Sequence, residues 1–212
     1  MILSAPLLAR WCASVSRTTS AMRAVHIAVA SVALFIGVVA SVVLVHNWRG
    51  AWGAGLAVLM VAIAAVDARR FIIPDELTAA ALALGLVYAA VDGSEIWAQA
   101  LAWSVLRGIV PALAFLGVRA GYRRWRGREG IGLGDVKLAG VAGVWLDWQT
   151  IPIAIEIAAV AALGAYLFMH LHFHRTVRPT TRLPFGLFLG PAIWIAWILD
   201  ATLFLHPSAP SF

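Results

Sequence analysis

The chemistry available to this chain is confined to few side chains: ten Asp and Glu, six His and one Cys among 212 residues. Two of the acids stand apart by their setting. Asp67 closes an apolar run in Ala64-Ala65-Val66-Asp67-Ala68-Arg69-Arg70-Phe71-Ile72-Ile73-Pro74-Asp75, and Asp135 opens another in Gly130-Ile131-Gly132-Leu133-Gly134-Asp135-Val136-Lys137-Leu138. Two carboxylates brought close cannot both ionise cheaply, so they share a proton; one then serves as general base on a water while the other hydrogen-bonds a carbonyl. Such a pair titrates as a unit and hydrolyses a peptide bond without metal, cofactor or covalent intermediate. The alternating Gly130, Gly132 and Gly134 permit non-helical backbone that another chain can approach closely.

The elements that must position these residues follow from composition. The chain is 62% apolar and 12% charged, whereas a soluble domain is nearer half and a quarter. An ordinary cytosolic enzyme is thereby excluded. A membrane helix needs ~20 mostly apolar residues to cross the bilayer core. Seven apolar segments occur in turn, at about 24–46, 50–68, 76–92, 95–118, 134–148, 151–172 and 184–205. The predicted fold is an all-α polytopic membrane helix bundle.

Charge orients it. Arg10, Arg17 and Arg23 precede the first segment, Arg69 and Arg70 follow the second, five arginines between Arg119 and Arg128 follow the fourth, and Arg175, Arg178 and Arg182 follow the sixth. With seven crossings all of these share one face and Arg49 lies on the other, so the positive-inside rule puts the N-terminus in the cytoplasm and the C-terminus outside. Trp48, Trp52, Trp97, Trp145 and Trp148 in the opposite loops suit the headgroup level. The net charge of +6 is thus a matter of membrane topology, and no nucleic-acid partner is expected. One cysteine, Cys12, excludes a disulfide framework and a Cys-based zinc site.

Asp67 and Asp135 then fall at one membrane depth on the cytoplasmic face, where ionisable residues facing a bundle are functional candidates. The other acids have simpler explanations. Asp92, Glu95, Asp147 and Asp200 lie near the outer loops, Glu156 is within snorkelling reach of them, Glu129 neutralises the arginine loop, and Asp75 and Glu76 suit a helix N-terminus after Pro74. His170, His172 and His174 read as interfacial histidines, since alternate positions on a helix fan apart. Arg107, near mid-span, calls for a partner such as Glu156 or a backbone carbonyl. A proton-coupled transporter relay through Asp67, Asp135, Glu156 and Arg107 is the alternative function.

On these residues the sequence resembles the type IV prepilin leader peptidases, membrane aspartic proteases of the Gly-x-Gly-Asp class. The matching stretches are Val66–Leu77, Gly132-Leu133-Gly134-Asp135-Val136-Lys137-Leu138 and Leu183-Pro184-Phe185-Gly186-Leu187-Phe188-Leu189. The resemblance implies an endopeptidase of the bacterial inner membrane that removes the basic leader of prepilins or pseudopilins after a glycine at the cytoplasmic face. It implies Asp67 and Asp135 as the catalytic pair, with Gly132, Gly134, Lys137 and Pro74 as supporting motif residues. Pro184, Phe185 and Gly186 are candidates for a substrate groove. The expected partners are that precursor and the lipid bilayer.

Longer members carry a cytoplasmic domain with paired Cys-x-x-Cys motifs and also N-methylate the new N-terminus. Only about four residues separate the first two segments here, so the resemblance is to the short, protease-only form. The expected organisation is a disordered cytoplasmic segment 1–23, an extra transmembrane helix 24–49, a peptidase-like membrane domain 50–206 and a tail 207–212. Presenilin-like proteases share Gly-x-Gly-Asp, but the Pro111-Ala112-Leu113 tripeptide precedes the motif here, whereas theirs follows it.

Overall fold

A computed structural model describes residues 5–93, 96–127, 130–173 and 184–203, with side chains from Ala24 onward apart from His26 and Phe173. Seven helices follow in order: α1 (Ala5–Leu44), α2 (Arg49–Arg70), α3 (Asp75–Asp92), α4 (Trp97–Arg126), α5 (Leu133–Trp145), α6 (Thr150–Phe173) and α7 (Phe185–Leu203). Among the described residues five helices are long and apolar enough to cross a membrane: α1 over Ile27–Leu44, α2, α4, α6 over Thr150–His172, and α7. The chain is an all-α polytopic membrane bundle.

Three helices depart from their expected extents for local reasons. α1 reaches back to Ala5 through the segment expected to be disordered; an apolar helix already nucleated propagates cheaply through Ala, Ser and Arg. α4 continues to Arg126 because arginine is a good helix former and cations in the last turn favour the negative C-terminus. Gly127, in the left-handed region at φ 67°, then ends it. α5 spans only 13 residues, about 20 Å of rise against a hydrocarbon core of about 30 Å. One end of α5 is therefore held inside the membrane slab, and the polar groups beside it must find partners in the protein.

α5 is the most enclosed element, with every residue from Leu138 to Leu146 buried. It packs on α3, α4 and α7, while α2 packs on α1, α3 and α7. Leu56, Met60, Ile63, Leu138, Val141, Leu189, Ile193 and Trp197 form the centre of the core. Lipid tails are as apolar as leucine, so close packing rather than escape from water drives helix association in a bilayer. Small residues supply the contact: a Cβ on Gly108 would lie 2.8 Å from Val144 Cγ2 and 3.1 Å from the Gly140 carbonyl. Trp145 is not at the headgroup level as expected but buried, stacked on Tyr88 at 5.4 Å. Its indole N–H donates to the Ala81 carbonyl at 2.9 Å, because the glycine at Gly85 leaves room for the ring. α1 and α6 present mostly exposed apolar side chains, as lipid-facing helices do. Trp194 on α7 ties α1 to the bundle through a 2.9 Å bond to Ser41 Oγ.

Candidate functional site

Asp67 sits one turn before the end of α2, 4% exposed. Its carboxylate points at the first turn of α7, where the Leu187 N–H donates to Oδ2 at 2.9 Å and the Gly186 N–H also bonds it. Unpaired amides and the positive dipole end make a helix N-terminus a natural seat for a carboxylate. Gly186 is needed there, since a Cβ would come within 2.9 Å of Asp67 Oδ2. Asp135 occupies the first turn of α5, and its Oδ2 accepts the Gly132 N–H at 3.1 Å. Each acid is thus held by peptide N–H groups at a helix start. Among the described residues neither makes an ion pair.

The two carboxylates belong to one end of the bundle: Gly186, against the Asp67 carboxylate, and Gly134, the residue before Asp135, both pack on one side chain, that of Ile73, which is 7% exposed. Gly134 is a glycine because of Ile73: a Cβ there would meet the Ile73 Cβ at 2.8 Å. The close approach expected of the Gly130–Gly134 run is thus made, at this position, by an isoleucine side chain. Pro74 is the extended N-cap of α3, with ψ 134°, and its carbonyl accepts the Thr78 hydroxyl at 2.9 Å. Lys137 Nζ reaches Asp75 Oδ1 at 2.6 Å, an exposed ion pair joining α5 to α3. Arg119 on α4 donates to the Ile131 carbonyl at 2.7 Å and holds the chain that leads into Gly132. Pro184 and Phe185 are half-buried where α7 begins, and Gly186 is buried.

Nothing in the local sequence marks Ile73 or Arg119 as neighbours of the two acids, and the α7 amides are marked only weakly. A carboxylate seat in the first turn after Pro184-Phe185-Gly186 was the one signal that could have pointed to the last of these.

Arg107 does not pair with Glu156, which is exposed on α6. It forms an ion pair with Asp147 and donates to Ser104 Oγ at 3.2 Å, at the opposite end of the bundle from Asp135. There a cavity of about 230 Å³ is lined by Arg49, Asp92, Arg107, Asp147 and Asp200 beside Tyr88. Arg49 binds Asp92 at 2.8 Å. Asp92, Asp147 and Asp200, the acids expected near the loops at this end, line this recess. The four residues of the supposed relay therefore do not form one line through the bundle. His170 and His172 stack on Tyr166 and Phe168. His174, Glu95 and Glu129 lie outside the described residues. Among the described residues no cluster of three potential metal ligands occurs.

The sequence profile of the type IV leader peptidase family matches residues 54–167. The chain belongs to that family. It is 30% identical over 149 residues to the prepilin leader peptidase/N-methyltransferase of Aeromonas hydrophila, covering 68% of this chain and 49% of that one. The protein of the same name from Escherichia coli K12 is 34% identical over 143 residues, 64% of this chain and 60% of that one. For Burkholderia pseudomallei K96243 the figures are 33% over 138 residues, 64% and 42%. The chain spans about half the length of the curated relatives it matches. No solved structure gives a significant match.

Proposed function

We propose that this chain is an aspartic endopeptidase of the bacterial inner membrane that removes the basic leader of prepilin or pseudopilin-like precursors. The observation that carries this is the placement of Asp67 and Asp135 at one end of the bundle, each held by peptide N–H groups and, among the described residues, neither in an ion pair. The relatives' name supplies the substrate class, and the activity proposed is the peptidase one and not methyl transfer. The positive-inside distribution puts this end at the cytoplasmic face, with the N-terminus inside. On this reading α1, which precedes the family match, is an added helix.

In the mechanism one carboxylate removes a proton from a water whose oxygen attacks the scissile carbonyl carbon. The other, protonated, delivers its proton to the carbonyl oxygen. The first carboxylate then gives the proton it took from water to the leaving nitrogen, the C–N bond breaks, and the second carboxylate regains its proton from the gem-diol hydroxyl as the C=O of the new carboxyl group forms. The cut falls after a glycine. The precursor's apolar helix stays in the bilayer, and its extended leader end crosses the pair along a groove to which Pro184, Phe185 and Gly186 contribute. Lys137 and Pro74 support the pair by holding α3 against α5.

The test is co-expression with a prepilin-like precursor of wild type, Asp67→Asn and Asp135→Asn, each checked for membrane level, with leader loss read on a gel. Wild type should cut and both variants should not. Cleavage at the wild-type rate by either inserted variant would overturn the assignment.

A further inference from the structure

α2 and α5, which carry the two aspartates, share α3 and α7 as neighbours but have no extensive interface with each other. Something other than direct helix packing must therefore set the distance between the carboxylates. The α2–α3 connection holds the candidate. Phe71, its first residue, adopts φ 54° and ψ 33°, left-handed backbone that an aromatic residue rarely enters. Such outliers persist where surrounding structure over-determines them. The Phe71 N–H closes on the Asp67 carbonyl at 2.9 Å, and the turn leaves Phe71 and Ile72 exposed while Ile73 is buried.

Ile73 then fills two notches at once. Its Cβ, Cγ1 and Cδ1 stand 2.8, 3.1 and 3.1 Å from where a Cβ of Gly134 would be. Its Cδ1 and Cγ1 stand 2.8 and 3.1 Å from the same position on Gly186. Gly134 directly precedes Asp135, and Gly186 lends its N–H to Asp67. One side chain thus touches the backbone beside each acid.

We propose that Ile73 is a positioning residue that fixes the separation of the Asp67 and Asp135 carboxylates and keeps water out of the space beside them. This rests on the reading of that pair as catalytic. Proton sharing requires the carboxylates to be close and poorly hydrated, and a wedge locked between two glycines provides both.

The test compares Ile73→Val, Ile73→Ala and, as a control, Ile193→Ala, which removes an equally large, fully buried side chain from the α7 core. Cleavage of a prepilin-like precursor is measured against substrate concentration and pH at equal amounts of folded enzyme. The charged groups at this end, Asp75, Glu76, Lys137, Arg69, Arg70 and Arg119, stay in every variant. Misplacing reacting groups by about 1 Å costs on the order of 10²-fold, so Ile73→Ala should lose about that much in kcat and Ile73→Val several-fold, with KM within about twofold. The pH bell of Ile73→Ala should also narrow, because separated carboxyls split each other's titrations less. Ile193→Ala should lower thermal stability while keeping kcat and bell width.

Wild-type kcat and bell width in Ile73→Ala would overturn the proposal. So would a raised KM at unchanged kcat, which would make Ile73 a substrate contact. If Ile73→Ala does not fold, Ile73→Val decides by the same two readouts. Retained cleavage by Asp67→Asn or Asp135→Asn would instead remove the catalytic reading itself, independently of Ile73.

Discussion

At one end of the bundle Asp67 and Asp135 are held by the N–H groups of Leu187, Gly186 and Gly132; at the other, Asp92 and Asp147 are held by Arg49 and Arg107. All four are carboxylates at or beside helix ends in a chain with ten acids, yet the two ends solve different problems. An arginine partner keeps a carboxylate charged and occupied, which suits a recess beside a helix too short to span. Peptide dipoles seat a carboxylate without supplying a whole countercharge, so a proton can still come and go. On the proposed reading the partner, more than the acid, separates a structural carboxylate from a chemical one.

The largest effect should come from removing an acid at the amide-held end. Asp67→Asn or Asp135→Asn should reduce leader cleavage about 10²–10⁴-fold, the usual contribution of a general acid or base, with normal membrane insertion. Gly186→Ala should come next. Its new Cβ would press on Asp67 Oδ2 and Ile73, and the rate should fall about 10²-fold for a displaced carboxylate, measured as kcat at equal enzyme level. If that variant cut normally, the close seat on α7 would not matter to the reaction.

At the arginine-held end the readout should change from rate to stability. Arg107→Ala leaves Asp147 without its ion-pair partner and should cost about 1–3 kcal/mol in detergent unfolding, while kcat per folded enzyme stays near wild type. A double replacement, Arg107→Met with Asp147→Leu, should recover part of that loss, since an apolar pair can replace an ion pair when both partners go. A kcat loss as large as that of Asp135→Asn would erase the distinction between the ends. The smallest effect belongs to Lys137→Ala, because its pair with Asp75 is exposed and such pairs contribute roughly 0–1 kcal/mol. Cleavage should fall less than about threefold.

The pH profile sharpens the same contrast. Wild-type cleavage should be bell-shaped, since activity requires one proton on the pair and is lost when acid adds a second or base removes the last. Arg107→Ala should leave the bell in place.

The limits of reading the sequence lie in particular residues. Asp67 and Asp135 can be singled out as candidates because so few acids compete and because glycines and arginines surround them. The end of α4 was missed, since arginines that mark a loop by charge also propagate a helix. Trp145 was placed at the membrane surface by type, whereas the glycine at Gly85 admits its ring to the core. The partner of Arg107 was sought on α6 and lies after α5, because spacing along one helix says nothing about which neighbour packs against it. Ile73 looked like any apolar residue before a proline.

Local patterns in the chain are enough to determine that it lives in a membrane as a helix bundle, which face collects its positive charge and which two acids to suspect. They act through nearest neighbours and through transfer from water to lipid, both of which a sequence displays. What the tertiary structure decided is who meets whom: Leu187 reaching Asp67 across 120 positions, Lys137 reaching Asp75 across 62, and Ile73 resting against two glycines on two other helices. Such contacts depend on the packing of several helices together, and no single stretch of sequence contains them.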